Sequence, residues 1–193
     1  MNLILRLIKV LVMSLLRPAL TPLGESVVRF RVWPHDLDLN LHMNNGRYLT
    51  VMDLGRTDLM IRCRMLGAVL KRGWRPMLAA ATIRYRRPLA PFRRYELRTR
   101  LVGWDQKWFF MEQRFEVGGD LYAYALVKGV FKDGRGVVPP SRVAQILGHD
   151  NQSPQWPAAL AAWLTWEQTN GAAGGLANGQ TGEVAVEDAD LGV

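Results

Sequence analysis

One ten-residue segment concentrates the side chains that could carry out chemistry. Residues 36–45 hold two carboxylates, three carboxamides and one imidazole, contributed by Asp36, Asp38, Asn40, His42, Asn44 and Asn45. A carboxylate in such surroundings can attack a carbonyl carbon or take a proton from water. An unpaired buried polar group costs about 1–3 kcal/mol, so these groups must form a bonded network or face water. Leucine and methionine alternate with them, which predicts a half-buried site rather than a solvated turn that only caps the next helix.

The composition argues against several other kinds of site. Cys63 is the single cysteine, which excludes an intramolecular disulfide and a cysteine-only metal centre. His35, His42 and His149 form neither a helical pair nor a Cys/His cluster, so we expect no metal site.

The net charge points to a phosphate-bearing partner. The segment after Gly171 holds four acidic residues and no lysine or arginine, which raises the net charge of residues 1–170 from +8 to +12. Such a surface attracts phosphates in nucleic acid, anionic lipid or a nucleotide-bearing molecule. We expect no nucleic-acid partner, because no binding motif is present and the strand tyrosines and tryptophans are typical of sheet packing.

Residues 3–16 predict an amphipathic helix that ends near Arg17. Asn2, Arg6, Lys9 and Arg17 share one side at helical spacing, and the remaining sides are apolar. The segment is shorter than the roughly 20 apolar residues of a membrane span. Two interpretations stay open: residues 1–17 contact an anionic membrane surface, or the helix docks on the body of the domain.

The remaining pattern is that of an α+β fold. Apolar residues recur every three or four positions from Tyr48 to Leu70, which predicts one long helix ended by Gly73 and Pro76. The strand-like runs cover residues 27–33, 78–86, 95–104, 107–117 and 121–132, and short helices are expected over 141–147 and 157–166. The long helix can bury its apolar stripe only against one face of an antiparallel sheet.

The segment from Asp38 to Asn45, with Tyr48 three residues on, resembles the hotdog-fold acyl thioesterases. Many of these proteins carry Asp-x-x-Gly-His-Val-Asn-Asn-x-x-Tyr between the first strand and the long helix. The sequence Leu-His-Met-Asn-Asn-x-Arg-Tyr is most similar to bacterial relatives of the thioesterase-superfamily-member-six proteins. The resemblance covers residues 26–133 and implies a five-stranded antiparallel sheet wrapped around one helix.

This resemblance also implies a domain organisation and an activity. We expect an N-terminal helix over 1–18, a hotdog domain over 26–148, a helical extension over 149–170 and a disordered acidic tail over 171–193. The implied activity is hydrolysis of acyl-CoA or acyl-ACP by a homodimer or a dimer of dimers. Coenzyme A would enter as part of the substrate, with no separate cofactor.

The resemblance assigns roles within the segment. Asp38 matches the catalytic carboxylate, as nucleophile or general base. Asn40 and His42 match residues that orient water and polarise the carbonyl, although His42 could instead fix the loop. Backbone N–H groups at the helix start, around Asn45 and Gly46, would form an oxyanion site.

Four further side chains are candidates for the site. Asp53 could act as a second carboxylate across a dimer, or form a salt bridge with Arg56 or Arg47. Arg84, Arg86 and Arg87 could bind the phosphates of coenzyme A, or form a solvated basic face.

One departure from the family pattern favours an alternative. Leu41 stands where the family usually has glycine, and a branched side chain could narrow the acyl channel or displace the loop. The alternative is a non-catalytic acyl-thioester-binding or membrane-adaptor hotdog protein. A hydratase is disfavoured, because its motif has a proline and one more residue before the histidine. We expect a cytoplasmic protein, or one peripheral at the inner membrane.

Overall fold

The sheet is antiparallel and has its first and second strands at its two edges. A computed structural model describes residues 2–149 and 151–173. The strands are β1 (Ser26–Arg31), β2 (Arg75–Tyr85), β3 (Arg94–Trp104), β4 (Phe109–Val117), β5 (Asp120–Asp133) and β6 (Gly136–Val138). Their order is β1-β3-β4-β5-β2, and β6 also pairs with β5. The hotdog fold predicted from the sequence is confirmed, with β6 as an additional short strand.

The helices of the described chain are α1 (Asn2–Leu16), α2 (Asn45–Arg62), α3 (Met65–Lys71), α4 (Pro140–Ile146) and α5 (Ala158–Ala173). Along the chain, α1 precedes β1, α2 and α3 lie between β1 and β2, and α4 and α5 follow β6. Among the described residues, none of these helices is long and apolar enough to cross a bilayer.

Helix α2 packs its buried stripe on the inner face of the sheet. The stripe includes Tyr48, Val51, Met52 and Leu59. The helix lies close to the sheet at Gly55, where a Cβ atom would be 2.5 Å from Thr99 Oγ1 and 2.7 Å from Leu97 Cδ2. Glycine weakens a helix interior, and here it allows the helix backbone to lie directly on β3.

The prediction of a single long helix through Leu70 is wrong, because the helix is interrupted after Arg62. Cys63 ends α2, and Arg64 takes a left-handed conformation with φ of +57° before α3 begins. The apolar spacing continues across this break, so periodicity alone could not reveal it. Pro76, expected to end the helix, instead lies within edge strand β2, where its missing N–H is tolerated.

Helix α1 docks along the open edge of β1 with its polar side inward. Arg6, Lys9 and Arg17 donate to the carbonyl oxygens of Arg31, Arg29 and Val27 at 3.1, 3.5 and 2.9 Å. These carbonyls alternate along β1 on the side that does not pair with β3. The helix therefore covers a sheet edge, where unpaired backbone groups otherwise invite aggregation.

A buried carboxylate joins α1, β1 and α2. Asp58 is 1% exposed and accepts hydrogen bonds from Ser14 at 2.6 Å and Ser26 at 2.5 Å, with Arg62 3.6 Å away. Docking of α1 is thus specified by polar contacts as well as by Val10, which is 1% exposed.

The chain forms two compact units that divide between Trp156 and Pro157. The second unit contains α5, which continues beyond the predicted helix 157–166 and includes residues 171–173 of the segment expected to be disordered. Residues 174–193 of that predicted tail lie outside the described residues.

Candidate active site

The carboxylate of Asp38 is held by its own loop. Its Oδ1 atom accepts the backbone N–H groups of Asn40 at 2.9 Å and His42 at 3.3 Å, and a bridge pairs Leu37 with Met43. The Asp38 N–H donates to the His42 carbonyl at 2.9 Å, so His42 contributes to the loop through its main chain. One carboxylate oxygen is therefore anchored, while no donor among the described residues contacts Oδ2.

Leu41 adopts the conformation that glycine would favour. Its φ is +58°, and its side chain is 66% exposed. The loop thus closes without glycine, and the branched side chain points into solvent. Leu39 is fully exposed. The prediction that the alternating leucines are buried on one side of this segment is therefore wrong for Leu39 and Leu41. Met43 is buried as expected.

The start of α2 lies directly after this loop. Asn44 caps the helix, and its Oδ1 accepts the Gly46 N–H at 2.9 Å. The Gly46 N–H is therefore already engaged, which leaves the Asn45 N–H as the better candidate for an oxyanion donor. The Asn45 carbonyl accepts the phenol of Tyr85 at 3.1 Å, which ties the end of β2 to the helix.

Tyr48 forms the apolar floor beneath the helix start. Its ring packs edge-on against Tyr85 and Phe115, with centroid separations of 5.0 and 4.8 Å. Burial raises the pKa of Tyr48 to about 12, and the nearby Asp38 charge acts in the same direction. The phenol therefore stays protonated at neutral pH.

Asp36 is buried and holds the Asp38 loop in place through its contacts. It is 1% exposed, accepts the Trp33 N–H at 2.9 Å, pairs with Arg6, and lies 3.3 Å from Arg47 Nε. The Asn44 N–H donates to the Asp36 carbonyl at 2.8 Å. Asp36 thus ties the loop to Trp33, Arg6 and Arg47.

Asp53 is separated from Asp38 within one chain. It lies eight residues into α2, about 12 Å along the axis at 1.5 Å per residue. Its carboxylate pairs with Arg56, which donates to Gln113 Oε1 at 2.7 Å. Gln113 in turn donates to Met52 O and Thr99 Oγ1, both at 2.9 Å. The salt bridge with Arg56 that the sequence allowed is present.

The three candidate phosphate ligands lie at the end of β2 and just beyond it. Arg84, Arg86 and Arg87 are all exposed, and Arg87 pairs with Asp120 at 2.9 Å. The hydrogen bond between Tyr85 and Asn45 keeps this arginine group beside the start of α2. No metal-binding cluster of three acidic, histidine or cysteine side chains exists among the described residues.

An apolar cavity of about 260 Å³ lies beside the second half of α2. Its walls include Met60, Met77, Leu78, Leu101, Met111 and Val127. Asp53 and Arg56 are also on its wall, whereas Asp38 is not. The cavity can take an alkyl chain but does not reach the candidate carboxylate of its own chain.

Sequence reasoning missed the contact between Tyr85 and Asn45, because it assigned Tyr85 only to sheet packing. The two residues are 40 positions apart, and they meet only when β2 and the start of α2 pack together in the folded chain. No local signal could have indicated this contact.

Comparison with known proteins identifies the family. A family model described as the thioesterase-like superfamily matches residues 32–164. Protein THEM6 of Xenopus laevis is 34% identical over 139 residues, which cover 72% of this chain and 67% of that protein. Protein THEM6 of Danio rerio is 42% identical over 111 residues, covering 54% and 52% of the two chains, so this chain spans about half of that relative.

Solved structures show the same fold at low identity. The probable thioesterase YbaW of Escherichia coli has a TM-score of 0.60 at 20% identity, covering 63% of this chain and 96% of that chain. The BH1999 gentisyl-coenzyme A thioesterase has a TM-score of 0.56 at 20% identity, covering 63% and 98%. These likenesses show the fold, and the family model matches well over half of the sequence. The chain belongs to the thioesterase-like superfamily.

Proposed function

We propose that this protein hydrolyses acyl thioesters of coenzyme A or acyl carrier protein, with Asp38 as nucleophile or general base. The main observation in support of this proposal is that two backbone N–H groups hold the Asp38 carboxylate through its Oδ1 atom, beside the start of α2. Such anchoring fixes a reactive group in place while leaving Oδ2 for the substrate or a water molecule.

The nucleophilic and the general-base mechanism use the same groups of the protein. As nucleophile, Asp38 attacks the thioester carbon, the C–S bond breaks, the thiolate takes a proton from solvent, and water cleaves the resulting anhydride. As general base, Asp38 takes a proton from water while the water oxygen attacks, and the proton passes to the departing thiolate. In each route the Asn45 N–H and the positive end of α2 would stabilise the oxyanion.

The free edge of β2 supports a homodimer. β2 pairs only with β5 among the described strands, and its side chains are largely exposed, including Met77 and Leu78. An exposed apolar edge strand is normally protected. Antiparallel pairing of β2 with the same strand of a second copy would extend the sheet across the dimer and cover this edge.

This pairing would also complete the substrate site. In an antiparallel pair, the Tyr85 end of one β2 lies beside the Arg75 end of the other. The apolar cavity, with Met77 and Leu78 on its wall, would then open beside Asp38 of the opposite subunit. We propose that the acyl chain enters the cavity of the second subunit, where Asp53 would approach the site across the dimer. Arg84, Arg86 and Arg87 would bind the phosphates of the thiol carrier.

The first test is thiol release from a panel of acyl-CoA substrates. We expect Asp38→Ala and Asp38→Asn to lower turnover by at least a hundredfold. Asp105→Asn is the matched control, because Asp105 Oδ1 also accepts two backbone N–H groups, from Lys107 and Trp108. Wild-type turnover that survives the loss of Asp38 would disprove its role. If purified protein binds acyl-CoA without turnover, and acyl-ACP gives none either, the non-catalytic alternative replaces hydrolysis.

A mixed dimer tests the placement of the acyl chain. Asp38→Asn removes the acid, and Met60→Trp narrows the cavity, so each homodimer should be inactive on long chains. A heterodimer would combine the intact Asp38 of one subunit with the intact cavity of the other, and should recover up to half of the activity. No recovery, with both variants folded and dimeric, would mean that the acid and the cavity act within one chain.

A further inference from the structure

The outward side of α1 is apolar although the helix is amphipathic. We call it the α1 outer face; its members are Ile4, Leu5, Ile8, Val12, Leu15 and Leu16, each 50–76% exposed. The polar residues Arg6, Ser14 and Arg17 point the other way and bond to β1 or Asp58. A helix docked on a water-soluble domain normally shows the reverse polarity.

Specific contacts hold α1 with its polar side toward the protein and its apolar side outward. Arg6 is 8% exposed and pairs with the buried Asp36, while Ser14 is 3% exposed and donates to Asp58. Rotating the helix to hide its leucines would remove the Arg6 guanidinium from buried Asp36 and the Ser14 hydroxyl from buried Asp58. The exposed apolar stripe is therefore a property of the docked state, and large exposed apolar patches mark interaction surfaces.

The surroundings of this face favour a lipid bilayer as its partner. Leu5 lines an open depression together with Trp33, Lys9, Arg29, Arg31 and Arg94. Trp33 is 42% exposed, lies edge-on to Phe92 with centroids 6.3 Å apart, and stacks under Arg31 at 5.8 Å. An aliphatic surface bordered by exposed tryptophan and arginine matches the apolar and headgroup layers of a membrane.

The acidic groups in this depression are already paired. Glu96 accepts hydrogen bonds from Arg29 at 2.9 Å and Arg98 at 2.7 Å. Glu116 forms ion pairs with Arg98 at 2.8 Å and Arg114 at 3.2 Å. Arg31 and Arg94 remain beside Trp33 as charges suited to lipid phosphates. A protein partner fits less well, because the α1 outer face carries neither hydrogen-bonding groups nor aromatic anchors.

We infer that α1 binds the surface of a lipid bilayer by inserting its outer face into the apolar layer, parallel to the membrane plane. Arg6 in α1 and Arg17 directly after it both bond to the protein, so apolar insertion supplies the affinity and anionic lipid is not required. This inference goes beyond the proposed hydrolysis and does not depend on it.

The test is flotation of the full chain with phosphatidylcholine vesicles, without substrate. We expect the protein to float with neutral vesicles and to remain bound in about 0.5 M NaCl, where charge attraction is screened within a few ångströms. The double variant I8E/V12E should lose binding by about tenfold or more, with an unchanged melting temperature. The control L70E/V137E adds the same charges at exposed apolar positions outside α1 and should float normally.

Four outcomes would overturn the inference. The first is failure of the wild type to float, and the second is flotation of I8E/V12E at the wild-type level. The third is binding to phosphatidylserine vesicles alone with release by salt, which would indicate a charge-driven contact. The fourth is an oligomer that I8E/V12E dissociates in sedimentation without lipid, which would assign the face to a second copy.

Discussion

The Tyr85 hydroxyl donates to the Asn45 main-chain carbonyl at 3.1 Å and so joins the end of an edge strand to the first residue of the central helix. Tyr85 also packs on Tyr48, whose pKa is raised by burial and also by the charge of the nearby Asp38. The position of the helix start, and of the Asn45 N–H that would meet an oxyanion, therefore depends on a strand that is itself proposed as a dimer edge. Dimerisation and catalysis would be coupled through this contact.

Tyr85→Phe tests that coupling. The substitution keeps the ring packed on Tyr48 and removes one partly exposed hydrogen bond, so we expect a loss of at most about 1 kcal/mol in the free energy of unfolding. We expect kcat to fall severalfold with little change in KM, because the oxyanion donor becomes less well positioned. Steady-state thiol release and urea denaturation measure the two effects. An unchanged kcat would show that this contact does not position the site.

Leu41→Gly should stabilise the protein. Leu41 holds φ at +58° with its side chain mostly in solvent, and left-handed backbone costs a branched residue roughly 1–2 kcal/mol. We expect a gain of about 1 kcal/mol in the free energy of unfolding, read from the urea midpoint.

Leu39→Gly is the control for Leu41→Gly. Leu39 is also exposed, lies in the same loop and has no positive φ, so this substitution should be neutral or slightly destabilising. Equal effects of the two changes would contradict strain at Leu41.

Gly55→Ala should destabilise the fold. The added methyl group would overlap Thr99 Oγ1 and Leu97 Cδ2, and overpacking of this kind typically costs about 1–3 kcal/mol. Gly67→Ala in α3 is the matched change, because no atom beyond the neighbouring residues and backbone of its own helix lies within 4 Å of the position that its methyl group would take. There the better helix propensity of alanine should add up to about 1 kcal/mol. Opposite signs in thermal or urea denaturation are expected; two stabilising substitutions would disprove the close helix–sheet contact.

The Cys63 thiol should make stability fall in alkaline solution. Burial raises its pKa to about 11, above the ordinary value of 9. Between these values the unfolded thiol loses its proton while the folded thiol keeps it, so the unfolded state gains stability as the pH rises. The contribution of Cys63 is complete below pH 9 and is lost toward pH 11.

Urea denaturation from pH 8 to 11 measures this effect. Cys63→Ala should weaken the pH dependence between pH 9 and 10, below the range in which the buried tyrosines contribute. The same slope in wild type and variant would contradict a shifted thiol.

The candidate segment and the order of the elements could be predicted from local sequence. Asp38, the Asn44 cap and the alternating strands are encoded locally, by turn chemistry and by apolar spacing. The same spacing predicted the α+β class, whereas the hotdog fold was implied by the resemblance of the segment from Asp38 to Tyr48 to the thioesterases. The roles proposed for Asn40, His42 and Asp53 stay predictions that mutants must test. Leu41 shows the limit of local reasoning, because its residue type suggested a displaced loop and only its φ showed how the loop closes.

The contacts of each polar residue, by contrast, emerge only when the elements pack together. The break at Arg64, the burial of Asp36 and Asp58, and the contact of Tyr85 with Asn45 depend on groups far apart in the chain. The orientation of α1 is the clearest case. Its cations would ordinarily face water, but the open carbonyls of β1 and the buried Asp36 carboxylate offer them better partners. Ser14 bonds to the buried Asp58 on the same side, so the leucines face outward instead.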